Sequence, residues 1–438
     1  MVGQYLSAEK RVGENRKLVG FRGACAAILL ACMAAGCSET DKASELVVEP
    51  EEEVVAVSTV AAPSPQGAFM LLSDVHLGLD KSQASGKWYC QYQCETDDAL
   101  WTSAQNEAIN LVNQNSAEFI IYTGDLSAHN ESDSNRKSEF GQVLDGLENI
   151  SSKTGKPLLY LPGNNDSDDD DYCAFTFNSE DPFDSAANPN NWPVAGGNAN
   201  IISRDAANGY YSVYPLGKPA AGTGAPALRV IALNTVIFNK HYVGPRFGCN
   251  QSNYRTRQQS DSDNQLEWLS AQLADAASKK EKVILAMHIP PGYDGLGGSD
   301  NWHYSLNYLA TGKNPLRQYK GQWIQDVFLQ IVAHHQSEIV GMVTGHTHLN
   351  GIQRMHDCSA QQAFTELGVS ASSIVTDHGS NPALKIFSYG DDYEWTGNTT
   401  YFATRPSDTS EINWKYNDLN GQETYNQFAF AENYLCTS

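Results

Sequence analysis

Residues 339–348 read Ile339-Val340-Gly341-Met342-Val343-Thr344-Gly345-His346-Thr347-His348, a short β-rich apolar run that stops at a glycine and delivers two histidines. On an extended segment, residues two apart point to the same side, so both imidazoles are offered to one place. The same pattern recurs along the chain. Leu71-Leu72-Ser73 leads to Asp74-Val75-His76, Ile120-Ile121-Tyr122-Thr123 to Gly124-Asp125, Leu159-Tyr160-Leu161-Pro162 to Gly163-Asn164-Asn165-Asp166, and Leu285-Ala286-Met287 to His288. Open α/β sheets hold their ligands at the carboxyl ends of strands, where all these residues fall.

Working outward, the β-rich runs are Phe69–Ser73, Phe119–Tyr122, Leu158–Leu161, Leu228–Leu233, Val283–Met287, Ile339–Val343 and Leu384–Phe387. Between several of them, Thr96–Asn113, Arg136–Ile150, Asn264–Ala277 and Trp323–His335 place apolar residues three and four apart, the spacing of amphipathic helices. Alternating strands and helices predict a layered α/β sandwich. The stretch 178–208, rich in Asn, Asp, Ala, Gly and Pro, reads as a long surface insertion. Beyond residue 395, Trp414, Tyr416, Phe428, Phe430 and Tyr434 supply enough aromatic surface for a C-terminal segment (396–438) to pack back on the body.

The chain of 438 residues carries 29 Lys plus Arg against 51 Asp plus Glu, a net charge of −22, with 41% hydrophobic residues. This composition excludes a disordered chain and a membrane bundle, and the acidic surface repels duplex phosphate, so no nucleic-acid duplex is expected as partner. The amino terminus is different. Lys10, Arg11, Arg16, Lys17 and Arg22 precede the apolar stretch Ala24–Met33, which runs into Ala34-Ala35-Gly36-Cys37. The run is shorter than the ~20 residues needed to span a bilayer, and small residues before a cysteine resemble the bacterial lipobox. Residues 1–36 are therefore expected to be an export signal, with Cys37 lipidated as a membrane anchor and residues 37–66 an extended tether. Six further cysteines, Cys90, Cys94, Cys173, Cys249, Cys358 and Cys436, suggest up to three disulfides in an oxidising compartment. Cys90 and Cys94 are near enough in sequence to close a small loop.

Imidazoles, carboxylates and one amide carbonyl suit two borderline first-row divalent ions better than calcium or magnesium. The ordered series Asp-x-His, Gly-Asp, Gly-Asn-Asn-Asp, His, Gly-His-x-His resembles the calcineurin-like metallophosphoesterase superfamily. Residues 124–129 (Gly-Asp-Leu-Ser-Ala-His), His288-Ile289-Pro290-Pro291-Gly292, Leu233-Asn234-Thr235 and Asn381-Pro382-Ala383-Leu384-Lys385-Ile386 look like its acid sphingomyelinase and sphingomyelinase-like phosphodiesterase branch. The resemblance covers roughly residues 68 to 390. It implies a four-layer α-β-β-α sandwich with two mixed sheets over 67–395 and a dinuclear site at the strand ends. By motif, Asp74, His76, Asp125 and His348 would hold one ion, and Asp125, Asn164, His288 and His346 the other. Both ions are zinc in that branch, with iron or manganese as alternatives. The implied reaction is phosphodiester hydrolysis, a hydroxide shared by the ions attacking phosphorus in line. Sphingomyelin-like or nucleotide-type substrates are both compatible, and a monomer is expected.

His129 falls on the branch's extra histidine near the leaving group. One departure matters: the family motif has a histidine where this chain has Asn165, and an amide can donate a hydrogen bond but no proton. His129 is accordingly expected to do the acid work, with Asn165 limited to hydrogen bonding. Asp166 and Asp168–Asp171 follow that motif and are expected either to form a solvated loop or to overhang the site and favour cationic head groups. Trp302-His303-Tyr304 fits core packing better than a leaving-group wall. Two competing functions stay open: a phosphomonoesterase of the nucleotidase or purple acid phosphatase kind, and a non-catalytic surface binding protein that keeps the metal site. Against purple acid phosphatase, no tyrosine follows Asp125 at the required spacing; Tyr122 precedes it.

Overall fold

The computed structural model describes residues 66–78, 95–129, 133–167, 169–175, 194–195, 199–218, 226–245, 248–249, 251–294, 299–302, 306–310, 315–356, 364–376, 381–404, 412–417 and 428–433. The export signal, Cys37 and the tether lie outside them.

Strands β1 (Gly67–Leu72), β2 (Phe119–Tyr122) and β3 (Leu158–Tyr160) pair in parallel, and α1 (Asp98–Gln114) and α2 (Asp133–Thr154) form their crossovers. The α1 start is set by Asp97, whose side chain accepts from the Leu100 amide at 2.8 Å. Its buried residues Leu100, Trp101, Ala104, Ala108, Leu111 and Val112 make one apolar stripe. Strand β4 (Val194–Ala195) pairs antiparallel with β3, and the hairpin β5 (Asn200–Asp205) and β6 (Tyr210–Tyr214) leads to β7 (Leu228–Leu233). Helix α3 (Tyr254–Lys279) then precedes β8 (Lys282–Met287), and the short pair β9 (Tyr293–Asp294) and β10 (Ser299–Asp300) precedes α4 (Ile324–His334). The chain continues through β11 (Ile339–Thr344), β12 (Asn350–His356), β13 (Phe364–Ser370), β14 (Ala383–Tyr389), β15 (Trp395–Thr404), β16 (Asn413–Asn417) and β17 (Phe428–Asn433). Two large mixed sheets result, ordered β16-β15-β14-β1-β2-β3-β4 and β17-β12-β13-β11-β8-β7-β6-β5.

Period-two alternation sorts the second sheet's side chains between two cores. Leu228, Val230, Ala232, Ile284 and Ala286 face the first sheet's residues in one core that also holds α1 and α2 residues. Ile231, Leu233, Val283, Leu285 and Met287 enter another, with Leu266, Leu269 and Leu273 of α3 and Val327, Phe328 and Ile331 of α4. The layers are therefore helices, sheet, sheet, helices. In the first sheet Phe69 stacks on its cross-strand partners Phe119 and Phe387, with ring centroids 5.0 and 4.7 Å apart, worth about 0.5–1.5 kcal/mol per pair beyond area burial.

Three expectations change. Helix α3 begins ten residues before the apolar pattern, because its first turns bury polar groups: Gln258 Nε2 donates to the carbonyls of Ile237 and Asn239 at 2.9 and 2.6 Å. The supposed surface insertion at 178–208 contains β4 and β5, so its end is sheet edge. The boundary drawn at 395 falls at the start of β15; beyond it β16 and β17 extend one sheet each. Of the six cysteines, Cys173 and Cys249 form a disulfide, while Cys90, Cys94, Cys358 and Cys436 lie outside the described residues.

Candidate metal centre

Register brings the strand ends to one rim. Leu72 pairs with Tyr122 and Tyr122 with Tyr160, so Asp74, Asp125 and Asn164 follow at the same edge; Ile231–Leu285 and Val343–Ala286 align His288 with His346 and His348. Two glycines let the loops touch. A Cβ on Gly124, which sits at φ +101°, would collide with the Gly163 backbone, and one on Gly163 with Asp125.

Among the described residues, three groups have donor atoms within 4.8 Å of one another: the two that could make a paired site are Asp74, His76, Asp125 and His348, and Asp125, His288 and His346, while His76, Glu95 and His129 form a third. Asn164 joins the second, its Oδ1 lying 3.0 Å from His288 Nε2. Asp125 is common to both. Its Oδ2 is 3.2 Å from His76 Nε2 and 3.2 Å from His288 Nε2, and His348 Nε2 is 3.2 Å from His76 Nε2 and 3.5 Å from Asp74 Oδ1. Apart from His346, which is half-buried, all side chains of the paired groups are buried.

The imidazoles are fixed for ligation through Nε2. His76 Nδ1 donates to the Ser127 carbonyl at 3.0 Å and His288 Nδ1 to the Thr123 carbonyl at 2.7 Å, which leaves the Nε2 lone pairs converging on Asp125. Convergent lone pairs on buried nitrogen and oxygen repel unless a cation or proton sits among them, so this donor set fits two divalent ions. The carboxylates are prepared in the same sense. Burial alone would raise Asp74, but the hydrogen bond and charge of His348 outweigh it and hold the carboxyl at about 2. Asp125 likewise lies well below the usual range, held there against burial by His288 and His76. Burial, then the charge of His288, pushes His346 down to about 3. Five ligand positions, Asp74, His76, Asp125, His346 and His348, have φ between +46° and +69°. Non-glycine residues rarely adopt this conformation, at a cost of roughly 1–3 kcal/mol each.

His129 lies beside the first group, stacked on His76 with ring centroids 4.3 Å apart at 11°. Its Nδ1 is 3.1 Å from Glu95 Oε1, which also accepts the His129 backbone amide at 3.1 Å. Burial would lower this imidazole; the hydrogen bond and charge of Glu95 raise it to about 9. Glu95 has no motif in the sequence that marks it. Asn165 turns to the metal group: its amide N–H donates to Asp125 Oδ1 at 2.9 Å and its Nδ2 to Oδ2 at 3.2 Å.

The acidic run does not form one overhanging loop. Asp166 is buried and accepts from the amides of Asp125, Leu126 and Gly163 at 2.9, 2.7 and 2.7 Å and from the Tyr160 hydroxyl at 2.9 Å. Asp170 pairs with Arg136 at 3.0 Å, Asp171 accepts from Asn164 Nδ2 at 2.8 Å, Asp169 is exposed, and Asp168 lies outside the described residues. Burial pushes the Asp171 carboxyl up to about 7 against that donated hydrogen bond. Trp302 is core, its Nε1 donating to the Ile289 carbonyl at 3.1 Å. Tyr122 donates its hydroxyl to the Asp125 carbonyl at 2.7 Å, below the ligand groups. Thr235, from the Leu-Asn-Thr motif, accepts the Ile289 amide at 2.8 Å and steadies the residue after His288.

Two mixed sheets faced by helices, with paired ligand groups at the strand ends, define a metallophosphoesterase. The sequence profile of the calcineurin-like phosphoesterases matches residues 68–350, and the chain belongs to that family. It is 29% identical over 196 residues to mouse cyclic GMP-AMP phosphodiesterase SMPDL3A, covering 43% of this chain and 38% of that protein. It is 26% identical over 345 residues to sphingomyelin phosphodiesterase 2 of Caenorhabditis elegans, covering 73% of this chain and 46% of that protein. The chain thus spans less than half the length of these relatives. Among solved structures, a dimetal phosphatase from Danio rerio superposes with a TM-score of 0.42 at 13% identity, over 77% of this chain and 99% of that one.

Proposed function

We propose that the chain is an exported phosphodiesterase using two divalent metal ions, with small phosphodiesters as substrates. The observation that carries this reading is the sharing of Asp125 between two ligand groups, its Oδ2 equidistant at 3.2 Å from His76 Nε2 and His288 Nε2. Asp74, His76, Asp125 and His348 would hold one ion and Asp125, Asn164, His288 and His346 the other, zinc being the favoured metal for this donor set. Such ions supply Lewis acidity toward phosphoryl oxygens and make water a nucleophile at neutral pH. The chain's own groups do the rest. Asp125 keeps its orientation through Asn165, and the buried rim limits access of bulk water. His129, held by Glu95 and protonated at neutral pH, supplies the proton that the departing alkoxide needs.

The curated relatives named as cyclic GMP-AMP and sphingomyelin phosphodiesterases support diesters over monoesters and leave both nucleotide and lipid head groups as substrates. The Cys173–Cys249 disulfide agrees with an oxidising compartment, and among the described residues no helix is long and apolar enough to cross a membrane. Attachment through lipidated Cys37 and the 37–66 tether would place the catalytic body on a membrane face.

The test measures bound metal and turnover of the full chain on bis-p-nitrophenyl phosphate and p-nitrophenyl phosphate, with His348→Ala as metal-site control. Two equivalents of metal and diester turnover lost in the control are expected. Preference for the monoester would make the protein a phosphatase, and metal without turnover on either substrate would make it a binding protein.

A further inference from the structure

Residues 169–175 run beside the second ligand group and touch two of its members. The Asp171 carboxylate accepts from Asn164 Nδ2 at 2.8 Å, the Tyr172 amide donates to the Asn164 carbonyl at 2.8 Å, and the Tyr172 ring meets His346 edge-on at 6.4 Å. A carboxylate only accepts, so Asp171 takes the NH2 end of the Asn164 amide and leaves Oδ1 facing His288 Nε2 at 3.0 Å. An amide turned the other way presents its NH2 to a cation and cannot ligate it. The loop is itself anchored from three sides. The Cys173–Cys249 disulfide ties it to a distant segment, with Cys249 Sγ 3.6 Å from the Asp171 carbonyl. The Val243 amide donates to the Tyr172 carbonyl at 3.1 Å, and Arg136 binds the Ser167 carbonyl at 3.1 Å and Asp170 Oδ1 at 3.0 Å.

We infer that Asp171 is a positioning residue for the second cation, fixing the Asn164 carboxamide with its oxygen inward, and that the Cys173–Cys249 crosslink keeps Asp171 at that post. The inference rests on the two-ion reading above. Partners that orient a metal ligand are worth about 10–100-fold in metal affinity.

The full chain, stripped of metal by a chelator, is titrated with Zn2+ in a competing-chelator buffer at mildly alkaline pH and bound equivalents are counted by elemental analysis. Co2+ absorption reports each site's geometry in parallel. Asp171→Asn, which offers an NH2 as readily as an oxygen, is expected to bind the first equivalent as the wild type does and the second about 10–100-fold more weakly. The Cys173→Ser/Cys249→Ser pair is expected to weaken the second equivalent in the same selective way, and Asp169→Asn, an exposed neighbour, to change neither. A wild-type second equivalent in Asp171→Asn overturns the inference and leaves the two-ion reading standing; fewer than two equivalents in the wild type overturns both. Should Asp171→Asn fail to fold, as judged by circular dichroism, the double serine variant decides, and an unchanged second equivalent there overturns the inference.

Discussion

Asp166→Asn separates two readings of the acidic run, one in which it faces substrate and one in which it builds the site. Asp166 receives four donors: three backbone amides, from the β2 and β3 end loops, and the Tyr160 hydroxyl. A hydrogen bond to a charged acceptor contributes about 1.5–3 kcal/mol, so the four together bound its worth at roughly 6–12 kcal/mol, comparable to the ~5–15 kcal/mol stability of a whole domain. Asparagine can keep its oxygen on the three donors of Oδ2, but it turns an NH2 toward the Leu126 amide that served Oδ1, and the three bonds it keeps become bonds to a neutral acceptor, worth about 0.5–1.5 kcal/mol each. About half the contribution is lost, roughly 3 kcal/mol or more. At about 2–4 °C per kcal/mol for a large domain, the melting temperature should fall by about 6 °C or more. The assay is a thermal melt followed by circular dichroism, beside kcat and KM on a choline-bearing and a neutral diester well below the transition. Large destabilisation with an unchanged ratio between the two esters is the expected result. A melt within a degree or two of wild type, with the preference for the cationic ester reduced, would refute the structural argument and restore an acidic loop acting on substrate.

His129→Gln should slow alkyl diesters far more than p-nitrophenyl diesters, by roughly 10²-fold or more, because only poor leaving groups need the proton; equal losses on both would count against it. Since Glu95 raises this imidazole to about 9, the acid form persists through neutral pH, and wild-type turnover of alkyl diesters should decline only as pH rises through about 9, a limb absent from the variant. Asn165→Ala removes one donor from the Asp125 carboxylate and should weaken zinc binding by about 10-fold; unchanged zinc affinity with lowered kcat would instead put Asn165 on the phosphate. Lys385, buried in β14, donates to Asn350 Oδ1 and Thr400 Oγ1, and burial lowers its ammonium to about 7. The unfolded chain then binds the extra proton between about pH 7 and 10.5, so stability rises with pH across that window by up to about 1.4 kcal/mol per unit. Lys385→Met should flatten that rise in urea unfolding curves, and an identical slope would show that the lysine is neutralised by another route.

The candidate ligands are legible because chemistry and periodicity coincide at strand ends. His346-Thr347-His348 and Asp74-Val75-His76 carry their spacing on the surface of the sequence, and the runs before them are strands β11 and β1. What stayed hidden is held by polar burial, which leaves no periodic trace. The start of α3 packs through Gln258 and Ser262, with Asp263 beside them, and Glu95 reaches His129 across 34 residues with no motif around it. In the acidic run, four aspartates written in succession, 168 to 171, read as one charged surface. The structure gives Asp169, Asp170 and Asp171 separate fates because the chain bends at Asp169 and turns from Asp170 to Cys173, whose amide donates to the Asp170 carbonyl at 3.2 Å.

Strain and polarity at the rim are two sides of one construction. Five candidate ligand positions in the left-handed region cost together on the order of 5–15 kcal/mol, as much as a domain's net stability, at residues that all carry an imidazole or a carboxylate and not a glycine's bare backbone. Backbone hydrogen bonds hold them in place: the Asp74 amide donates to Gly124 O at 2.9 Å, the His76 amide to Asp125 O at 3.2 Å, and the Gly345 amide to His288 O at 2.9 Å. These bonds tie neighbouring strand ends within each sheet, and the His346 amide, donating to Asp74 Oδ1 at 3.1 Å, ties one sheet to the other, so the conformation at each position is enforced by a neighbour's loop. Side chains held this way keep their arrangement through the chain's own hydrogen bonds, and the stability of that arrangement rests on the sandwich as a whole. Substitutions far from the rim that loosen the sheet-to-sheet contact should therefore reduce metal affinity before they unfold the chain.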